Sequence, residues 1–133
     1  MRGDNDTLSI LPYRGKTGNL LRGLPVLKMK NDCLGKDYRL SVVVVSSGKM
    51  RKLNSRFRKI DRTTDILSFP LEKTLGEMFL CTAELKRKAM KFETVLRKFT
   101  ARMFIHGLLH LKGMRHGSKM EREEIKFRRK FNI

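Results

Sequence analysis

The sequence predicts one small domain in which helices and strands are interspersed around a modest core. Three observations predict it. A chain of 133 residues with 40% hydrophobic content fills one core and leaves no length for a second. Its apolar spacing alternates between short strand-like runs and helical steps of three and four residues. All three histidines fall in one stretch, HGLLHLKGMRH, from His106 to His116, at the end of a helical pattern. Residues 1–133 are therefore expected to form a single domain.

Residues 1–7 are polar and expected to be disordered, and Leu8 to Leu11 reads as a short edge strand ending at Pro12. From Thr17 to Leu34, the residues Leu20, Leu21, Leu24, Leu27 and Leu34 predict a helix that Pro25 kinks or restarts and Gly35 closes. Tyr38 to Val45 is a strand, and the unbroken Val42 to Val45 run marks it as buried on both faces, hence central. Ser47 is the expected N-cap of a second helix with Met50, Leu53 and Phe57 along its apolar stripe. After the loop Arg62 to Asp65, a strand from Ile66 to Phe69 is expected to stop at Pro70. A turn around Thr74 to Gly76 leads to another strand, Glu77 to Cys81. Thr82 is placed to cap a helix to Phe92. The histidine helix starts near Thr94 with Val95, Leu96, Phe99 and Met103 inward, and Ser118 with Glu121 forms a capping box for a last helix through Phe131.

The histidines point to a metal. On a helix, His106 and His110 are four apart and stack on one face. Gly113 ends that helix in a conformation suited to glycine, and the chain curls back to bring His116 to the same point. An HxxxH pair alone fits surface or core histidines equally well; the third histidine across a glycine, and the absence of any other in the chain, favour a ligand set. Three imidazoles with a fourth position left to water are the ligand set of a catalytic zinc, one per chain. Imidazole also suits copper, nickel and iron, so zinc is chosen on abundance and geometry.

A net charge of +18 and a pI near 10.6 predict attraction to polyanions, with nucleic acid the leading partner. The cations gather in two runs, Lys49 to Arg62 and Lys112 to Lys130, and the expected nucleic-acid contacts are Arg51, Lys52, Arg56, Arg58, Lys59, Arg62, Lys112 and Arg115. A membrane partner is not expected, because no apolar run approaches the roughly 20 residues needed to span a bilayer. Asp4 and Asp6 stand in an N-terminus without a signal core or a transit-peptide composition, which favours the cytoplasm. Cys33 and Cys81 are too far apart for a metal-binding pair and are expected to be reduced and buried. Phe127 and Phe131, at helical spacing, read as core rather than as platforms for bases.

Two stretches together resemble the YbeY family of bacterial metalloendoribonucleases, which act in ribosomal RNA maturation. HGLLHLKGMRH is similar to that family's HGxLHLxGxxH signature. Leu53-Asn54, Phe57-Arg58 and Thr64-Asp65-Ile66-Leu67-Ser68-Phe69-Pro70 are similar to its N-terminal signature, and Leu75-Gly76-Glu77 resembles the LGD opening its next strand. The match covers roughly residues 38 to 131. It implies an α+β fold, a small mixed four-stranded sheet covered by about five helices and related to the zincin arrangement. It places His106, His110 and His116 on the metal ligands and Arg58 on an arginine facing the active site. Composition alone makes Arg58 one more solvated cation. Two positions depart from the pattern: the residue before the third histidine is Arg115 where the family usually has aspartate, and Glu77 replaces an aspartate.

The resemblance makes the protein a zinc-dependent endoribonuclease of ribosomal RNA maturation and ribosome quality control, with ribosomal RNA or the small subunit as partner. His106 and Arg58 are its catalytic candidates. Three histidines on zinc would polarise a phosphoryl oxygen and supply hydroxide near neutral pH, while Arg58 matches phosphate geometry. The nucleophile is left open between water and the RNA 2′-hydroxyl, and Glu72, Glu77 and Asp65 are candidate bases only by strand proximity. The competing reading is a non-catalytic RNA- or ribosome-binding assembly factor with a structural zinc. A peptidase is disfavoured, because Gly107 stands where HExxH enzymes carry the glutamate base.

Overall fold

The computed structural model describes residues 7–11 and 20–133. In order they form β1 (Leu8–Leu11), α1 (Val26–Leu34), β2 (Arg39–Val45), α2 (Ser47–Arg58), β3 (Ile66–Glu72), β4 (Leu75–Cys81), α3 (Thr82–Lys91), α4 (Leu96–Leu111) and α5 (Ser118–Phe131). The four strands make one mixed sheet in the order β1-β2-β4-β3. β1 and β4 run parallel to β2, while β3 returns antiparallel to β4. This is the expected α+β architecture of four strands and five helices, and the valine-rich β2 is central.

Strand alternation divides the sheet into two faces. Leu40, Val42 and Val44 of β2, with Met78 and Leu80 of β4, join Met29, Phe104, Ile105, Leu108, Met120 and Phe127 in the larger core under α1, α4 and α5. Val45, Leu67 and Cys81 turn the other way and meet Met50 of α2 in a smaller one. Cys33 and Cys81 are both buried and free, and burial pushes the Cys33 thiol up to about 12. Among the described residues no helix is long and apolar enough to cross a membrane.

Several local expectations are corrected. Residues 1–6, Pro12 and the expected helix start at Thr17 lie outside the described residues, but Thr7 is held, its Oγ1 accepting from Lys30 Nζ at 2.8 Å. Pro25 restarts the chain, occupying the N-cap of α1. β3 runs on through Pro70 to Glu72, because an edge strand pairs on one side only and tolerates a missing N–H. A register shift follows between Pro70 and Glu72. Ser46, not Ser47, caps α2 by accepting from the Lys49 N–H at 3.2 Å. Thr82 and Ser118 are first helical residues without side-chain caps. Gly117, with φ +151°, takes the cap position of α5, and its carbonyl accepts the Glu121 N–H at 3.0 Å. Val95 is 72% exposed at the N-cap of α4, whose buried side is carried by Ala101, Phe104, Ile105 and Leu108. Phe57 is 56% exposed, because the narrow second core ends before the last turn of α2.

Candidate metal centre

α4 forms because Leu96 to Leu111 contains no proline, and its single glycine, Gly107, is tolerated by packing. A Cβ at Gly107 would lie 2.8 Å from Ile66 Cδ1 and Met78 Cε and 2.9 Å from Ser68 Oγ, so the helix sits hard against β3 and β4. Ser68 Oγ donates to the Gly107 carbonyl at 3.2 Å. The buried stripe leaves His106 and His110, one turn apart, half-buried at its margin. Beyond Leu111 the chain folds back: the Gly113 N–H reaches the His110 carbonyl at 3.0 Å and the Met114 N–H the Leu109 carbonyl at 3.0 Å. Gly113 has φ +101°, which a larger residue adopts only with strain. The turn delivers an exposed His116. The imidazole rings stand 4.6, 5.0 and 4.8 Å apart, centre to centre, and one ligand atom from each lies within 4.8 Å of the other two.

Hydrogen bonds orient two of the rings. His110 Nδ1 is 3.1 Å from the Met114 carbonyl, an oxygen that only accepts, so Nδ1 carries the proton. His106 Nδ1 is 3.3 Å from the Glu124 carboxylate on α5, with the same consequence. The two Nε2 atoms face each other at 3.1 Å. When both rings are neutral their lone pairs point at one another and repel unless a cation lies between them. A proton is disfavoured on His110: burial first, then the neighbouring His106, hold its pKa below 6.5, with smaller lowering by His116 and Arg58 and an opposing effect of the Met114 carbonyl. Tetrahedral bonds of about 2.05 Å would separate donor atoms by about 3.3 Å, close to the 3.1 Å between His106 and His110, with the His116 donor within 4.8 Å of both. The donor set thus fits a metal ion, although its chemistry does not identify which.

Two measurements check this arrangement. Glu124→Gln replaces a charged acceptor with a neutral one and is expected to weaken metal affinity by roughly 10- to 100-fold, measured by chelator competition. In chelator-treated protein, the depressed His110 pKa favours the folded state where the imidazole is neutral. That stability is complete above about 6.5 and is lost as pH falls through the lower folded value. Thermal unfolding should therefore move down between pH 7.5 and 5, with a shallower slope in His110→Gln.

The other sequence candidates take distinct places. Arg58 ends α2, exposed, and its charge is felt at His110; with Asn54, Arg62, Thr64 and Lys88 it lines a cleft of ≈ 350 Å³. Arg51, Lys52, Arg56, Lys59 and Arg62 are exposed on α2 and its following loop, as are Lys112 and Arg115 beside the centre. Arg51 is engaged by Asp61 at 2.9 Å. Asp65 is buried and committed to Lys88 Nζ at 3.1 Å. Glu77 is next to Met78, which touches Gly107, so alternation sends it to the opposite face of the sheet. Glu72 is exposed at the end of β3. Among the described residues none of these three carboxylates bonds a histidine. The one that does, Glu124, was not singled out by sequence reasoning; it occupies a helix where any glutamate reads as solvated.

A family model described as Endoribonuclease YbeY matches residues 18–132. A curated protein of that name from Mycoplasmopsis synoviae is 36% identical over 104 residues, spanning 71% of this chain and 67% of its own. Another from Sulfurimonas denitrificans is 36% identical over 101 residues, spanning 71% and 73%. The fold is similar to the solution structure of a Thermotoga maritima protein, with TM-score 0.65 and 29% identity over 90% of this chain and 85% of that one.

Proposed function

Because this chain belongs to the YbeY endoribonuclease family, we propose that it is a zinc-dependent endoribonuclease acting in the cytoplasm on ribosomal RNA, in maturation and ribosome quality control. One hydrolase domain spanning residues 1–133 holds one zinc on His106, His110 and His116. The observation that carries this reading is the cluster of three imidazoles, with the Nε2 atoms of His106 and His110 facing each other at 3.1 Å. Bound there, a zinc ion supplies Lewis acidity and an activated water. The chain's own groups do the rest. Glu124 and the Met114 carbonyl fix the two rings so that Nε2 is the atom presented. Arg58 meets the phosphate and opposes the charge that grows on it during cleavage. The basic surfaces on α2 and in the loop after α4 draw the RNA backbone in from either side.

The position beside His106 is crowded for a base. A Cβ at Gly107 would lie under 3 Å from Ile66 Cδ1, Met78 Cε and Ser68 Oγ, so the glutamate of a zinc peptidase would have to push these side chains of the sheet aside. This favours a phosphodiester substrate with its own 2′-hydroxyl over a peptide. Arg58→Ala is expected to lower kcat for RNA cleavage by roughly 10²- to 10³-fold with metal content unchanged. Arg58→Lys should recover only part of it, because a point charge lacks the planar fork. An assembly factor with a structural zinc would show neither loss, and zinc analysis paired with cleavage of ribosomal RNA separates the two.

A further inference from the structure

An exposed aromatic ring held rigidly among cations offers a face on which a nucleic-acid base can stack. Phe57, immediately before Arg58, is such a ring at 56% exposure. It is held rather than loose: Phe69 of β3 meets it edge-on at 5.5 Å, and Phe79 supports Phe69 at 5.8 Å. The guanidinium of Arg56 lies over the ring, its carbon 5.4 Å from the centroid, and Arg58 and Lys59 follow it in sequence. Phe92, the other exposed phenylalanine among the described residues at 59%, differs because it is stacked on a second ring, Phe99, at 6.1 Å and 21°, as well as lying under the Lys91 ammonium.

We propose that the Phe57 ring is a stacking platform for an unpaired base of the RNA whose backbone Arg58 engages. The inference rests on the endoribonuclease reading and adds what it lacks, a group that recognises bases rather than phosphates. A flat apolar ring among cations suits a single strand: the ring takes a base and the guanidinium groups take the adjoining phosphates. Every base has such a face, so the platform distinguishes unpaired from paired RNA without reading sequence. In a duplex the bases are stacked on one another and unavailable to it.

The chain contains no tryptophan, so Phe57→Trp places a single indole at the platform. Binding is measured in the His110→Ala background, where RNA is expected to remain intact. Single-stranded oligoadenylate should quench the indole, while a duplex of equal charge should not. Phe57→Leu keeps apolar bulk without a ring and should weaken single-strand binding by roughly 5- to 100-fold, leave duplex binding unchanged, and be rescued by Phe57→Tyr. Equal losses on both RNAs would show that Phe57 only supports α2, and no loss would show an idle ring; either overturns the proposal. Should no variant bind RNA, wild type included, the endoribonuclease reading itself falls. Single-strand binding indifferent to Phe57 removes the platform alone.

Discussion

His110→Ala is expected to lose metal-binding capacity and to cleave RNA on the order of a thousandfold more slowly, while remaining folded. His110 Nε2 faces that of His106 at 3.1 Å, and its other nitrogen pins the Met114 carbonyl at 3.1 Å. The substitution therefore removes one ligand and loosens the turn that delivers another, His116. Two donors on an open margin make a weak site. Lewis acidity contributes several kcal/mol to a phosphoryl transition state, and each 1.4 kcal/mol is tenfold in rate, which sets the expected loss. Elemental analysis and RNA cleavage on the same preparation check it. A variant that keeps one equivalent of metal, or cleaves at the wild-type rate after losing it, would remove the histidines from the mechanism.

Lys30→Ala is expected to be the most destabilising change outside the centre, by about 3–5 kcal/mol, lowering the melting temperature by roughly 10–20 °C. Lys30 is fully buried. Its ammonium donates to the Tyr38 carbonyl at 2.7 Å, to those of Gly35 and Lys36 at 3.1 Å each, and to Thr7 Oγ1 at 2.8 Å. One cation thereby joins the segment before β1, helix α1 and the entry to β2. Removing it takes a donor from the buried Tyr38 carbonyl, which costs more than the lost contact itself. Lys30→Met separates the causes, since it keeps the length of the stem. Near-equal destabilisation by Met and Ala would assign the effect to the polar cage, and a Met variant as stable as wild type would assign it to packing.

Much of the fold was legible because it depends on spacing. The Val42 to Val45 run requires a strand covered on both sides, and β2 is central. The histidine interval and Gly113 place three rings together by helix geometry alone. Features set by distant neighbours were not legible. Glu124 meets His106 only because α5 packs against α4, and the Glu121 to Glu124 segment looks like any solvated helix. Lys30 stands in a Lys-Met-Lys sequence that reads as exposed, and its acceptors include three backbone carbonyls, which carry no side-chain signature. Phe57 follows the periodicity of α2 correctly; the extent of the sheet beneath it, which periodicity does not encode, decides its exposure. Caps failed for a related reason, since Ser46 and Ser47 are equally suitable and only the local backbone chooses.

The irregular end of β3 bears on how this protein behaves at high concentration. An outer strand is a template on which a second molecule can lay its own, the route by which sheets grow into fibres. Here Pro70 has no N–H to offer, and the register shift before Glu72 breaks the even spacing such growth needs. The regular part of that rim is short, and the molecule's charge of +18 sets like molecules against each other. The end of β3 therefore opposes growth of the sheet through this rim.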